Sequence, residues 1–247
     1  MKESIGKRIA AAATISALLM AGSGVASAQT EAIESPATEV DRPVTFDQLK
    51  RRALEAIATR LDAIDRWTAT VETNDHMTPD HRARLLAELG GAARGLTGLA
   101  ADIEAAATYS DLGGLVPKIV EDYWVFALLG PIIHLVLAAD VMADIAERFN
   151  EMAVGIQDAI ARVEEAGYDP ADAQAALDRM TTHLAAATTL IRPVPGTVLA
   201  LQPDDMPEAG AQLRTAQADL ESAREELRAA QKAGRQAVEA IKDAVDR

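Results

Sequence analysis

The side chains that could do chemistry in this chain are few, and their spacing argues against a metal site. The four histidines are His76, His81, His134 and His183. No two of them stand three or four residues apart, the spacing that places two metal ligands on one helix face. His76 and His81 flank a polar segment with Asp75 and Asp80, for which exposed loop polarity is the prediction and a stray divalent ion the alternative. We therefore expect no metal and no cofactor.

The motifs of the common catalytic folds are also missing from the sequence. There is no HExxH motif, no Gly-rich phosphate loop after a strand and no G-x-S-x-G turn. The chain contains no cysteine, which excludes disulfides, Cys-ligated zinc, iron–sulfur clusters and thiol nucleophiles. Its carboxylates are spread along the faces of predicted helices rather than converging on one point. The sequence thus predicts no catalytic residues and a protein that is not an enzyme.

The most distinctive segment is an apolar run over residues 123–139 without a formal charge. We favour a buried, extended or kinked connector in which Gly130-Pro131 begins a new helix. A second interpretation is a carrier of a small apolar ligand, bound in a pocket formed by Tyr123, Trp124, Phe126 and His134. A third is a membrane-inserting or pore-forming hairpin. We disfavour it because about 17 helical residues span about 25 Å, less than a hydrocarbon core of about 30 Å.

The same segment carries a family resemblance. The run from Asp122 to Phe126 leading to Pro131, followed by His134-Leu135-Val136 and Ala138-Ala139-Asp140, resembles uncharacterised Ala-rich secreted helical proteins of actinobacteria and related high-GC bacteria. The chain departs from their pattern at Trp124, where a basic residue is usual, and in the break at Pro193 and Pro195. The resemblance implies export and a helical fold, and it implies no activity.

The first residues have the three parts of a secretory signal peptide. A cationic start is followed by an apolar stretch over residues 9–20 and by the small residues Ala26 and Ala28, with cleavage predicted before Gln29. The apolar stretch has about 12 residues, fewer than the roughly 20 that cross a bilayer. We expect residues 1–28 to be removed. The mature protein is then secreted or extracellular, or associated with the envelope, and periplasmic in a host with an outer membrane.

The composition narrows the class of partner. The net charge of −14 repels nucleic acid and anionic lipid. We therefore expect no nucleic-acid partner and no membrane contact after cleavage, and a cationic or envelope partner is favoured. The leading functional prediction is a noncatalytic protein that acts by surface contact, through adhesion, scaffolding or capture at the cell envelope.

The remaining sequence predicts an all-α fold. Residues 29–44 are expected to form a disordered leader, and residues 45–247 a single domain. Apolar residues recur at steps of three and four, and Thr45 and Thr78 stand where helix N-caps are expected. The domain should be a bundle of about five to six long amphipathic, coiled-coil-like antiparallel helices.

Two helices carry unusual small residues. Gly90, Gly91, Gly95 and Gly98 lie inside the second predicted helix, where close packing against a neighbour is favoured over a hinge. The last helix, 208–246, alternates Leu and Ala along a heptad seam, which predicts antiparallel packing against a small-faced neighbour. Self-association through the same seam is the alternative.

Overall fold

The described residues of the computed structural model, 44–121, 125–202, 205–206 and 208–246, are almost entirely helical. The α-helices are α1 (Phe46–Thr73), α2 (Pro79–Ala105), α3 (Tyr109–Leu115), α4 (Lys118–Glu121), α5 (Gly130–Glu165), α6 (Ala171–Ile191), α7 (Val194–Leu199) and α8 (Glu208–Asp246), with a π-helical segment at Val125–Leu129 before α5. No strand occurs within the described ranges. The prediction of an all-α bundle is confirmed.

The first two helices form an antiparallel hairpin whose ends follow the predicted caps. Thr45 and Gln48 exchange side-chain and backbone hydrogen bonds in a capping box that starts α1. Thr78 caps α2, and Pro79 occupies the first helical position, where no N–H is needed. At the other end of the hairpin, the Lys50 ammonium donates to the carbonyl of Glu104 at 2.6 Å. The start of α1 is thereby held against the end of α2.

The helices α5, α6 and α8 pack on one another as the second part of the fold. Arg179 on α6 lies near Gln236 on α8, at 3.4 Å, and His183 lies 2.6 Å from Glu226. Rising numbers on α6 match falling numbers on α8, so the two helices are antiparallel, as predicted. The seam of α8 is buried inside the chain at Leu213, Ala216, Leu220, Ala223, Leu227, Ala230, Gly234, Ala237 and Ile241.

The glycines of α2 contradict one expectation. A Cβ added at Gly91 or Gly98 would meet no atom within 4 Å, and at Gly90 it would meet only the side chain of Arg94. The prediction of close packing is wrong for these three, since they face open space. Close approach occurs instead at Gly130, where a Cβ would lie 2.7 Å from the ring of Trp67.

The 36-residue helix α5 links the two parts. Its first turns lie beside the hairpin, as the contact of Gly130 with Trp67 shows, and it also packs on α6, α7 and α8. The chain enters it through the π-helical segment, so residues 125–130 are helical rather than extended, and α5 begins at Gly130 as expected. Val44–Arg247 form one compact unit.

The proline break after α6 contains a short helix. Pro193 stands at its N-cap and Pro195 in its first turn, positions where a missing N–H costs nothing. The sequence pattern predicts only turns in this connector. The prolines end α6 but also start α7, and this brings apolar residues of the connector onto the bundle.

Candidate functional site

Of the four residues predicted to form a pocket, Phe126 and His134 lie in the described part of the chain, and neither lines the cleft described below. Tyr123 and Trp124 lie outside the described residues, as do Ala26, Ala28 and Gln29 of the expected cleavage site. Phe126 is 47% exposed. Its ring packs edge-on against Trp67 with centroids 6.0 Å apart. His134 is exposed on α5.

A cleft opens on a different side of the apolar run. It lies between α2, the π-helical segment and the chain leaving α7, and its volume is about 300 Å³. Leu85 and Ala92 on α2 line it, together with Leu128, Ile132 and Leu199. We call this the α2–α7 cleft. Its volume is at the lower end of the range for small-molecule sites, which is about 300 to 1,000 Å³.

The walls of the α2–α7 cleft are held by specific contacts. The guanidinium of Arg84 on α2 donates through Nη2 to the carbonyl oxygen of Leu199, the last residue of α7. That carbonyl has no partner inside its own helix, so the hydrogen bond both completes α7 and fixes it against α2. Leu128 and Ile132 form the opposite wall. Sequence reasoning placed these two in the apolar run but did not place Leu199 beside them.

The π-helical segment sets the orientation of the cleft wall. Within Val125–Leu129, Val125 and Leu128 are buried, whereas Phe126 and Ala127 are exposed. Gly130 follows directly and admits the ring of Trp67 from α1. The same few residues therefore pack against α1 on one side and line the cleft on the other.

A polar cluster attaches the hairpin loop, residues 74–78 between α1 and α2, to α5. Asp140 is 5% exposed and is the buried charged residue among those described. Its Oδ2 accepts the backbone N–H of Thr78 at 3.0 Å, and its Oδ1 lies 2.9 Å from Nδ1 of His81. An ionised carboxylate only accepts hydrogen bonds, so in that state Nδ1 of His81 is the donor. The carboxylate also faces the N-terminus of α2, where the helix dipole favours a negative charge.

A more exposed pair repeats this arrangement one turn along α5. Nδ1 of His76 lies 3.0 Å from Oδ2 of Asp144, and the same oxygen is 3.0 Å from Nη2 of Arg148. Asn74 shapes the loop, since its side-chain oxygen accepts the backbone N–H groups of His76 and Met77. The loop therefore presents His76 to α5, and the first turn of α2 presents His81.

These contacts correct the interpretation of His76 and His81 as exposed loop polarity. Both are partly buried and bonded to carboxylates on α5. Each of the two histidines already has a carboxylate partner, and within the described residues no group of three or more His, Cys, Asp or Glu side chains could hold a metal ion. The cluster joins the hairpin loop to α5.

Among the described residues, one segment is long and apolar enough to cross a membrane by length and composition alone. Tyr109–Glu165 contains an 18-residue window with a mean hydropathy of 2.1, of which 44% is buried. The core helices of soluble proteins pass the same test, so this is weak support for insertion.

Comparison with family models, curated proteins and solved structures finds no match for this chain. The resemblance to Ala-rich secreted proteins therefore stays a prediction.

Proposed function

We propose that this chain is an exported, noncatalytic protein that binds a small apolar ligand in the α2–α7 cleft. The observation that carries the proposal is the cleft itself, about 300 Å³ with leucines on several elements around it. It is lined by part of the apolar run, at Leu128, Leu129 and Ile132. The proposal keeps the prediction that the apolar run 123–139 helps to bind an apolar ligand. It assigns that ligand a different set of lining residues.

The energetics support a ligand of modest size. A ligand that buries about 200 Å² of apolar surface gains about 5 kcal/mol at about 25 cal/mol per Å². Loss of translational and rotational freedom offsets part of this gain. A dissociation constant of about 0.2 mM or weaker follows for simple hydrocarbons and alcohols.

Action by surface contact has less support in the geometry. The large hydrophobic side chains exposed in the described structure are Val44, Tyr109, Val120, Phe126 and Val154. Tyr109 donates its hydroxyl to the carbonyl of Val44, and the other three belong to separate elements. Such small groups of exposed apolar residues are normal on protein surfaces. The seam of α8, the other apolar surface that the sequence offers to a partner, is buried against α6 and α5.

Binding is tested by titrating 1-hexanol into methyl-labelled protein and following the leucine methyl signals by NMR. We expect saturable shifts for Leu85, Leu128 and Leu199. Gly91 lines the cleft and has open space where a Cβ would be added, so Gly91→Leu should fill the cleft and weaken binding at least about tenfold. The matched control is Gly98→Leu. It lies on the same helix with the same open space and outside the lining, and it should bind as the unsubstituted protein does.

Two results would contradict the proposal. One is the lack of saturable shifts at the lining leucines. The other is equal binding by Gly91→Leu and Gly98→Leu. Export is tested separately by the intact mass of the protein recovered outside the cytoplasm, which should begin at Gln29.

A further inference from the structure

Polar side chains make up a small part of the lining of the α2–α7 cleft, and they narrow the class of ligand proposed above. This inference rests on the proposed function. Its lining contains one formally charged side chain, Glu88 on α2, and one side-chain amide, Gln202 beyond α7. Glu88 is exposed, so its carboxylate stands at the mouth in contact with water. Leu85 and Ala92 lie three and four residues away on the same helix face. A negative charge therefore borders an apolar interior.

The Glu88 carboxylate is available to a ligand. In many helices an arginine four residues before a glutamate, as Arg84 is before Glu88, forms an ion pair with it. Here the guanidinium of Arg84 instead donates to the carbonyl of Leu199. Among the described residues no ion pair or hydrogen bond involves the Glu88 side chain. The contact that closes one wall of the cleft thus leaves the charge at its mouth unpaired.

An unpaired carboxylate selects among amphiphiles by charge. An ammonium group at the mouth is attracted, whereas a carboxylate there is repelled. A ligand with an apolar tail and a cationic end satisfies both the leucine-lined interior and Glu88.

We propose that the α2–α7 cleft binds small amphiphilic amines, with the apolar tail between Leu85, Leu128 and Leu199 and the ammonium group at Glu88. The carboxylate adds a preference on top of the apolar binding. Because Glu88 is exposed, the preference for an ammonium over a neutral group of the same size is about fivefold. It decreases at high salt, as expected for an ion pair in contact with water.

The test compares three probes of equal chain length, hexylammonium, 1-hexanol and hexanoate, by NMR titration at low salt. We expect affinity to fall in that order. Glu88→Gln should bring hexylammonium and 1-hexanol to equal affinity without changing the affinity for 1-hexanol. The control Glu104→Gln removes the same charge from an exposed position of α2 outside the lining, and it should keep the preference for hexylammonium.

The outcomes separate the two proposals. If 1-hexanol shifts the lining leucines but hexylammonium binds no more tightly, the charge preference is overturned and the apolar site stands. If the preference survives in Glu88→Gln, or is lost equally in Glu104→Gln, the assignment to Glu88 is wrong. If none of the three probes shifts those signals, both proposals fail. Far-UV circular dichroism of each variant shows whether the helices are retained.

Discussion

Replacing Asp140 by alanine removes the acceptor that joins the hairpin loop to α5. The carboxylate is 5% exposed and receives hydrogen bonds from the backbone of Thr78 and the ring of His81. Without it, the N–H of Thr78 and Nδ1 of His81 both lose the acceptor that they share. The change should therefore destabilise far more than an exposed substitution.

The loss of stability expected for Asp140→Ala can be compared with that of a more exposed site on the same helix. Removing the acceptor of a hydrogen bond at a buried carboxylate costs about 1 to 3 kcal/mol, and Asp140 accepts from two donors. Asp144, one turn further along α5, makes the corresponding contact to His76 but its side chain is 30% exposed. Exposed pairs contribute about 0 to 1 kcal/mol. Asp140→Ala should consequently cost about 2 to 6 kcal/mol, at least about 1 kcal/mol more than Asp144→Ala.

Urea denaturation followed by far-UV circular dichroism measures both variants. A loss of about 2 to 6 kcal/mol is a large part of the roughly 5 to 15 kcal/mol that stabilises a typical domain, so the midpoint should shift visibly for Asp140→Ala. Asp140→Asn keeps one acceptor oxygen and should cost about 1 to 3 kcal/mol. Equal free energies of unfolding for Asp140→Ala and Asp144→Ala would refute the reasoning, because burial is the difference between the two sites.

Two further outcomes follow from local geometry. At Gly130 an added methyl group would lie 2.7 Å from the Trp67 ring, so Gly130→Ala should lose about 1 to 3 kcal/mol of stability by overpacking, whereas Gly98→Ala, with open space, should gain up to about 1 kcal/mol from helix propensity. Thermal denaturation compares the two, and a stabilised Gly130→Ala would contradict the contact. Hydrogen bonds from the Thr108 side chain and then from the backbone hold the pKa of Asp111 below its ordinary value of 3.8. Its capping contribution to α3 is therefore present above that value and lost as the pH falls through the lower folded value, which carboxyl NMR titration checks. A folded pKa at or above 3.8 would oppose this.

Local interactions explain which features the sequence predicts well. The caps at Thr45 and Thr78 involve partners three residues away, and the seam of α8 repeats along one continuous helix. The positions of His76 and His81 depend on carboxylates 68 and 59 residues further along the chain. Neither histidine has a local sequence feature that identifies such a partner. The sequence around Asp140 does contain a signal of its burial.

That signal is its place on a helix face. Asp140 lies four and seven residues after Val136 and Ile133, both of which are buried, so helical periodicity places its carboxylate on the core side of α5. A charge on a buried face needs a partner. Periodicity could have indicated that a partner exists, although not which residue supplies it.

The α2–α7 cleft depends on information of another kind. Leu199 and Leu201 come from the proline-rich connector, and they meet Leu128 and Leu129 across the cleft. Hydrophobic periodicity predicts which face of a helix is buried but not the rotation of a short helix between two prolines. The π-helical turn also shifts the faces of residues 125–129 relative to a regular helix. The sequence patterns could therefore not predict the cleft.

The shared helix α5 has a consequence for how the molecule opens. Its 36 residues extend over about 54 Å, and both the hairpin and the helices α6 and α8 use it as a packing surface. Opening either part would uncover the buried side of α5, so the two should not unfold in separate equilibrium steps. Amide protons in the middle of α5, from Asp140 to Phe149, should then exchange with solvent only through global opening, while those near Gly98 exchange through local fluctuations.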